Sequence, residues 1–439
     1  MSRPAPTLGT LSILSIGLGG MIGGGIFATT GLAIELTKGA VPIAFILSGI
    51  VALLTGYSYL KMTLRYPGEG GTVDFLNRGF GTGILTGAAN ILLCFSYVVL
   101  VAIYAKALGD YASGFFPKED REFWSHVILS GSLLSLALLN ALAGRFVVKS
   151  ENALNLAKMI GLAVFIVVGL CSPIDWHRFE PANFAGPAAI ASGAMVVFFN
   201  YEGFELIANA SREVKNPKRS LPIAYIGGVL LVIVVYVLIV LVTLGHLDRA
   251  EVAAERDRVL AEAASRLMGP AGHIMIVAAA VLACGSAINA TLYSSGRLTY
   301  TVARSGELPK ELERSIRGVP MEGMILFAVL ALILANFVPL NAIATMGSAG
   351  FLFVFMAVNI ANLRLARETK SIRWISAVGA VTCGAALIIL CIQVEENPAT
   401  RNQLWILLGM VVLSFGIEVI YRRISGRSIQ LRRPHSGVR

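Results

Sequence analysis

Charged residues are scarce in this chain of 439 residues: Asp, Glu, Lys and Arg make up only 14% of it. Ordinary soluble domains carry about 25% charged residues, and a soluble chain of this length needs more polar surface than these residues provide. Apolar residues make up 56%, and the mean hydropathy is +0.74. Twelve spanning helices of about 20 residues would consume about 240 residues, more than half of the chain. The composition therefore predicts a polytopic membrane protein.

The chain also has few residues that carry catalytic or metal chemistry. Its five cysteines lie in or at the ends of apolar runs without C-x-x-C spacing, which is typical of small buried apolar side chains. Its five histidines lie in loops or at segment ends, and none pairs with an acid or a cysteine at metal-ligand spacing. No nucleophile-elbow or phosphate-loop pattern occurs in a strand–turn–helix context. We therefore expect no enzyme activity, no metal and no cofactor.

Lysine and arginine outnumber the acidic residues and give the chain a net charge of +10. These cations fall in short clusters between apolar runs, as they do in membrane loops, and no basic patch with interleaved aromatic residues accompanies them. The pattern predicts no nucleic-acid partner. The basic tail, residues 422–439, is expected in the cytoplasm, where it can touch anionic lipid.

Twelve apolar runs are long enough to span a membrane. Their approximate bounds are 10–34, 41–62, 82–110, 126–143, 151–172, 188–211, 221–244, 271–302, 323–338, 341–363, 374–392 and 403–421. Two loops are long enough for structure of their own. The spacing of apolar residues in Leu247–Leu267 predicts an amphipathic surface helix, and Ala303–Gly323 lies on the opposite side.

Lysine and arginine are distributed unequally between the two sides of the membrane that these runs define. One side carries 25 of them and the other side 9, while Lys106 and Lys158 lie within runs. Because cytoplasmic loops are enriched in Lys and Arg, both chain termini are predicted in the cytoplasm. The alternation also supports an even number of spans, since one missed span would scramble it.

Two of the runs carry residues that interrupt a helix. Gly23-Gly24-Gly25 lies near the middle of the first run, and each glycine costs about 1 kcal/mol relative to alanine in a helix interior. Phe198–Glu205 places Asn, Tyr, Glu and Gly in the sixth run. Backbone N–H groups at a break must face a polar cavity or a ligand, and the positive end of the new half-helix suits a carboxylate. The alternative is close helix packing through small residues.

The two predicted breaks lie five runs apart, at the start of runs 1–5 and of runs 6–10. This arrangement predicts two inverted repeats that each begin with a broken helix, a pattern typical of secondary transporters. Runs 11 and 12 are then additions to the repeats.

A few ionisable residues lie inside the apolar runs, where charged groups cost several kcal/mol in lipid. Lys158 shares a helical face with Asn152 and Asn155, so it either points into the bundle and exchanges a proton or snorkels to the cytoplasmic interface. Glu202 and Glu205 share a face with Asn209. Each carboxyl is a candidate proton carrier, cation-binding group or stabiliser of the break. Lys106, near the outer end of the third run, fits snorkelling.

At four places the residues resemble motifs of the amino acid–polyamine–organocation family of transporters. These are G-G-M-I-G-G-G-I-F at Gly19–Phe27, F-N-Y-E-G-F-E at Phe199–Glu205, E-V-K-N-P-K-R-S-L-P at Glu213–Pro222 and A-R-S-G-E-L-P at Ala303–Pro309. The motifs occur in the family's order, and the resemblance covers about 300 residues. It implies an all-α fold of the LeuT type, with about twelve transmembrane helices, a five-plus-five inverted-repeat core and broken helices 1 and 6.

The resemblance also implies a substrate site. The carboxylate of an amino acid would bind N–H groups of the first helix, and its ammonium would meet carbonyl groups of the sixth. The matching residues of this chain are Met21, Gly23, Gly24, Gly25, Phe199, Asn200 and Glu202. Gly24 stands where relatives often have a hydroxyl residue, and Glu202 stands where they often have an apolar one.

Lys158 matches a fifth-helix lysine of sodium-independent family members, where the ammonium takes the place of a sodium ion. Carried over to this chain, it would contact the carbonyl of Gly19 and the stretch Ala283–Ser286, with Cys284 or Ser286 as the partner in the eighth helix. Lys158, Gly19 and Ser286 are therefore the predicted proton-coupling residues. Glu205 is a possible additional acid.

The sequence thus predicts one membrane transporter domain over residues 1–439. Helices 1–5 are expected at about 10–172, helices 6–10 at about 188–363 and helices 11–12 at about 374–421. The expected function is sodium-independent amino acid/proton symport across the plasma (inner) membrane, with an amino acid, protons and membrane lipids as partners. Amino-acid exchange is the nearest alternative, and a channel or structural membrane protein is a more distant one. The oligomeric state does not follow from the sequence.

Overall fold

The computed structural model describes residues 7–68, 70–304, 306, 308, 309, 312, 321–396 and 401–425, with residues 142–153 and 425 described by their backbone only. Within this part of the chain no β-strand forms, and only two isolated bridges occur, Leu8 with Val214 and Lys38 with Phe184. The fold is all-α, as predicted.

The first half of the chain begins with a broken helix. Its helices are α1 (Thr10–Met21), α2 (Gly25–Thr37), α3 (Val41–Arg65), α4 (Gly71–Phe80), α5 (Ile84–Ala112) and α6 (Arg121–Cys171). α1 and α2 meet at 48° across residues 22–24, where the glycine run predicts the break. α5 is enclosed by its neighbours along nearly its whole length.

The second half of the chain also begins with a broken helix. Its helices are α7 (Pro187–Val196), α8 (Glu205–Asn209), α9 (Pro217–Pro222), α10 (Gly228–His246), α11 (Arg249–Ala254), α12 (Val259–Arg304), α13 (Met321–Phe337), α14 (Leu340–Arg364), α15 (Ala366–Thr369), α16 (Arg373–Glu396) and α17 (Asn402–Ser425). α7 and the segment Phe198–Asn209 meet at 46°. A π-helical turn, Ile223–Gly227, joins α9 to α10.

The lengths and apolar character of these helices fit a membrane. In the described residues nine helical segments are long and apolar enough to cross one, and the two bent pairs pass the same test when each is taken as one span. α13 is a shorter apolar helix of 17 residues. Each of the twelve predicted runs coincides with helical residues.

Two predicted boundaries are wrong. Residues 144–150, predicted as a loop, are helical, because α6 runs without interruption from Arg121 to Cys171. The helix predicted over Leu247–Leu267 is divided into α11, a 3-10 turn at Arg256–Arg258 and the start of α12. Its apolar side chains, such as Val252 and Leu260, are buried, so this segment packs into the protein.

Gly269 interrupts α12 with φ +64° and is followed by Pro270. A positive φ is readily adopted by glycine, and the proline ring fixes its own φ. This pair separates residues 259–268 of α12 from the rest of the helix. The side chain of Asn152, most of the loop Ala303–Gly323 and tail residues 426–439 lie outside the described residues.

Candidate functional site

The two breaks touch each other through their backbones. A Cβ atom placed on Gly20 would lie 2.7 Å from the Cα of Gly203, and one placed on Gly203 would overlap the backbone of Gly20 and Met21. Glycine is needed at position 203 because only a residue without a side chain allows this approach. The predicted first-helix and sixth-helix site residues are thereby brought together.

The hydroxyl group of Tyr236, on α10, contacts both breaks. Its hydroxyl lies 2.5 Å from the carbonyl oxygen of Met21 and 3.1 Å from that of Asn200, and it donates its one proton between them. The side chain is fully buried. Carbonyl groups freed by a broken helix need such donors, since lipid offers none.

Replacing Tyr236 by phenylalanine is expected to destabilise the protein by about 1–3 kcal/mol, because two buried carbonyl oxygens lose their donor. The measurement is the thermal unfolding midpoint of the purified protein in detergent. Tyr421→Phe, at the partly exposed end of α17, is the control and should change stability by about 0.5 kcal/mol or less. Equal midpoints for the two variants would contradict the bridging role of Tyr236.

The predicted substrate residues around the triple glycine are tightly packed. Tyr104 and the sulfur of Cys284 lie against Gly24, within 2.9 Å of where a Cβ atom would stand. The amide oxygen of Asn200 lies against Gly25, while its Nδ2 donates to Thr29 Oγ1 at 2.9 Å. The structure therefore places neighbouring side chains where the resemblance implies the carboxylate of an amino acid.

Lys158 points into the bundle. Its side chain is fully buried, and its Nζ donates to the carbonyl oxygen of Gly19 at 3.1 Å. Gly19 lies in the last turn of α1, where carbonyl groups lack partners in the helix and the helix dipole is negative. Ser286 is buried on α12. The geometry thus brings two of the predicted proton-coupling residues into contact.

Glu202 and Glu205 form a pair of buried carboxyl groups at the second break. Their side chains are 5% and 2% exposed, and the two carboxyls interact with each other. Thr72 donates to Glu205 Oε1. The Tyr97 hydroxyl and the Glu202 carboxyl also interact with the Glu205 carboxyl, whereas Glu202 Oε1 has no hydrogen-bond partner among the described residues. Two adjacent carboxylates repel each other in a site with little water, so a proton or a cation between them lowers the energy.

A cavity of about 360 Å³ adjoins the acid pair. It extends from Gly19 and Glu205 at the breaks to Leu8, Glu213 and Thr301 near the ends of their helices. Of the eleven predicted site residues, Gly19 and Glu205 line it. The cavity therefore lies on the side of the breaks that faces the N-terminus.

The opposite side is covered by a lid, residues 247–258. The backbone of Arg256 packs against α2 at Gly31, where a Cβ atom would overlap the Arg256 carbonyl oxygen. Arg256 also pairs with Glu35 at 3.4 Å. The cavity thus lies on one side of the breaks, and the lid packs against α2 on the other side.

Glu255 fixes the lid to the neighbouring helices. It pairs with Arg258 at 2.9 Å and with Arg121 and Lys118 at 3.6 Å each. Partial burial acts to raise the pKa of the Glu255 carboxyl, but the hydrogen bond from Arg258 and the three positive charges outweigh it and hold that pKa below its usual value.

Sequence reasoning missed Tyr236, Thr72 and a pair of asparagines that line the cavity. Asn140 Nδ2 donates to Asn289 Oδ1 at 2.5 Å, which joins α6 to α12. Tyr236 is a polar side chain in the middle of the apolar helix α10, whereas Thr72, Asn140 and Asn289 lie on helices that carry several other polar residues. Only Tyr236 therefore carries a local signal, and the partners of all four residues include one that is more than a hundred residues away in the chain.

Comparisons with known proteins agree on the class of this chain. A family model described as amino acid permease matches residues 8–415. The inner membrane transport protein YbaT of Escherichia coli (strain K12) is 31% identical over 424 residues, covering 95% of this chain and 96% of that protein. The branched-chain amino acid permease BcaP of Bacillus subtilis (strain 168) is 23% identical, covering 92% and 91%.

A solved structure shares the fold. The crystal structure of a mutant of the manganese transporter of Eremococcus coleocola matches over 93% of each chain, with a TM-score of 0.61 and 13% sequence identity. At this identity the likeness concerns the fold alone.

Proposed function

This chain belongs to the amino acid permease family of membrane transporters, and from that premise we propose that it moves amino acids by alternating access, as a proton symporter that does not need sodium. The cavity open on one side and the lid on the other support alternating access. The family supports a small-molecule substrate. The two breaks contact each other where the resemblance puts the charged ends of an amino acid, and the side chains of Tyr104 and Cys284 that pack against Gly24 would have to move to admit its carboxylate.

The contact between Lys158 Nζ and the Gly19 carbonyl oxygen carries the proposal of sodium independence. A half-helix that ends inside a membrane presents carbonyl oxygens that bind a cation. In this chain a fully buried ammonium takes that place. This cation is a side chain of the protein. In the proposal, protonation and deprotonation of Lys158 therefore take the place of the binding and release of a sodium ion.

The acid pair Glu202–Glu205 supports proton coupling from the other break. A carboxyl that receives a proton loses its repulsion from its neighbour, so one proton changes the interactions that hold the second break. Glu205 lines the cavity, from which a proton can reach it through water. Lys158 and the acid pair then lie at the two breaks that contact each other.

Glu202 is also a candidate for substrate selection, because a buried carboxylate beside the proposed ammonium site favours a second positive charge. We expect Glu202→Gln to lower uptake of basic amino acids by about tenfold relative to neutral ones, which corresponds to about 1.4 kcal/mol. Uptake of lysine and leucine by the variant and the parent in proteoliposomes measures this ratio. An unchanged ratio of lysine to leucine uptake would show that Glu202 does not select the substrate. Its proposed role in proton coupling would be unaffected by that result.

Membrane location and orientation are part of the proposal. The excess of Lys and Arg on one side supports cytoplasmic termini in the plasma (inner) membrane. The cavity near Leu8 then opens to the cytoplasm, and the structure corresponds to an inward-facing state. The lid would form the outer side.

The alternative is amino-acid exchange without net proton movement. Proteoliposomes with a panel of amino acids, with and without an inward pH gradient, sodium and internal amino acid, separate the two. Symport predicts sodium-free accumulation driven by the pH gradient into empty vesicles. Uptake that requires internal amino acid would support exchange, and an obligatory sodium gradient would contradict both the symport proposal and the role given to Lys158.

A further inference from the structure

Positively charged side chains gather where three membrane-spanning segments end on the same side. α3 ends at Arg65, α14 ends at Arg364 and α16 begins at Arg373, and all three helices are long and apolar enough to cross a membrane. The short helices α4 and α15 add further cations and the acids Asp74 and Glu368. We call the cations of this region the basic surface: Lys61, Arg65, Arg78, Arg364, Arg367, Lys370 and Arg373.

Contacts between distant parts of the chain hold the basic surface together. Lys61 Nζ donates to the carbonyl oxygen of Lys370 at 3.2 Å. The Tyr66 hydroxyl donates to Glu368 Oε2 at 2.6 Å, and the guanidinium of Arg78 lies 4.4 Å from the centre of the Tyr66 ring. Cations from the end of α3, from α4 and from the connection between α14 and α16 are therefore neighbours in space.

Three cations of this surface lack an acidic partner. Arg367, Lys370 and Arg373 are exposed, and none forms an ion pair within the part of the chain that the structure describes. Glu368, which follows Arg367 in the chain, accepts a hydrogen bond from Tyr66 instead. Like charges that are held together repel each other, so an anion bound among these three side chains lowers the energy.

Two large apolar side chains are exposed directly beside these cations. Ile372 and Trp374 are 51% and 65% exposed at the beginning of the spanning helix α16. Tryptophan is enriched at membrane–water interfaces, where its ring lies at the level of the lipid headgroups. A partner that covers this region must therefore offer a negative charge next to apolar groups.

We propose that the basic surface binds anionic phospholipid, with the phosphodiester at Arg367, Lys370 and Arg373 and the acyl chains against Ile372 and Trp374. An anionic phospholipid such as phosphatidylglycerol carries one net negative charge, whereas the ammonium group of phosphatidylcholine cancels the charge of its phosphate. Juxtamembrane clusters of Lys and Arg attract anionic lipids. The proposal goes beyond the proposed transport function, and it assigns the attraction to one place on the protein.

Trp374 can report lipid contact at this place, because bromine atoms on a neighbouring acyl chain quench indole fluorescence. The chain has four tryptophans, and replacing Trp124, Trp176 and Trp405 by phenylalanine leaves Trp374 alone. The full-length protein is placed in vesicles of phosphatidylcholine and phosphatidylglycerol in which only one of the two lipids is brominated at a time. The ratio of the two quenching efficiencies at equal lipid fractions gives the preference for the anionic lipid.

The expected preference at Trp374 is at least about fivefold, the effect of about one engaged cation. A protein that keeps only Trp405 is the matched reporter, because Trp405 is 71% exposed at the start of α17, on the side of the membrane opposite to Arg373. There the preference should stay below about twofold. Joint replacement of three cations should abolish the preference at Trp374: Arg367→Gln, Lys370→Gln and Arg373→Gln.

The control for total charge removes three exposed cations from the beginning of α9 and the residues before it, on the same side of the membrane. They are replaced as Lys215→Gln, Lys218→Gln and Arg219→Gln. This variant has the same net charge as the first triple variant and should keep the preference of the parent at Trp374. An equal loss in both triple variants would show that total charge attracts the lipid, and it would overturn the site.

Equal quenching by the two lipids at Trp374 in the parent would also overturn the site. If the first triple variant does not fold, Arg367→Gln and Arg373→Gln are measured singly, and each should at least about halve the preference; an unchanged preference in both would overturn the proposal. Loss of the preference on addition of soluble glycerol phosphate would contradict a lipid as the occupant. Because no transport is measured, failure of symport leaves this test intact.

Discussion

Gly203→Ala is expected to lower amino-acid uptake by at least about tenfold and to lower the thermal unfolding midpoint. The new Cβ would overlap backbone atoms of Gly20 and Met21, and backbone cannot move aside as a flexible side chain can. Overpacking a core costs about 1–3 kcal/mol and more where nothing yields, and 1.4 kcal/mol is already a factor of about ten. The two breaks would have to separate, which removes the arrangement from which the substrate and proton sites are built.

The matched control is Gly409→Ala. A Cβ on Gly409, in the middle of α17, meets nothing within 4 Å, so alanine there should keep uptake and add up to about 1 kcal/mol of stability through its helix propensity. Uptake is measured in proteoliposomes and folding by size-exclusion chromatography and thermal unfolding. Parent-like uptake by Gly203→Ala would show that the close backbone contact is not required for transport.

Lys158→Ala is expected to abolish accumulation driven by a pH gradient while the protein still folds. The substitution removes the ammonium that binds the Gly19 carbonyl oxygen, and with it the charge whose protonation we propose to couple to α1. An unpartnered buried carbonyl costs about 1–3 kcal/mol, which lowers stability without unfolding a large helical bundle. Uptake should fall to the level of protein-free vesicles under a pH gradient.

Lys106→Ala is the control for removal of a lysine from a membrane helix. Lys106 is partly exposed in α5 and interacts with Asp110 on the same helix. Its loss leaves no carbonyl oxygen of α1 without a donor, so pH-driven uptake should stay within about twofold of the parent. Full pH-driven accumulation by Lys158→Ala would contradict the coupling role.

The breaks could be predicted because their residues act locally. Three successive glycines are costly in any helix, and Glu202 and Glu205 are conspicuous in an apolar run, so both interruptions are visible without knowledge of the fold. The position of Lys158 followed from the cost of a charge in lipid together with the resemblance to sodium-independent transporters. The sequence did not determine where the side chain of Lys158 points. In the structure α6 packs against α1, and the side chain points into the bundle.

The remaining features depend on contacts between distant residues. Tyr236 meets Met21, which is 215 residues away in the chain, and Asn140 meets Asn289 at a separation of 149. No local pattern encodes such pairs. The filling of the triple-glycine region by Tyr104 and Cys284 likewise follows from how α5 and α12 pack. In the segment 247–267 the apolar spacing suggested one helix on the surface, and it did not signal the interruption at Arg256–Arg258.

The central claim is that amino acid and proton move together without sodium. Proteoliposomes that contain a trapped pH indicator, in sodium-free buffer and with the membrane potential clamped, report proton entry directly when an amino acid is added outside. The account predicts internal acidification that saturates with amino-acid concentration in the parent protein and is absent in Lys158→Ala. Amino-acid uptake by the parent without any internal acidification, or acidification only when sodium is present, would contradict it.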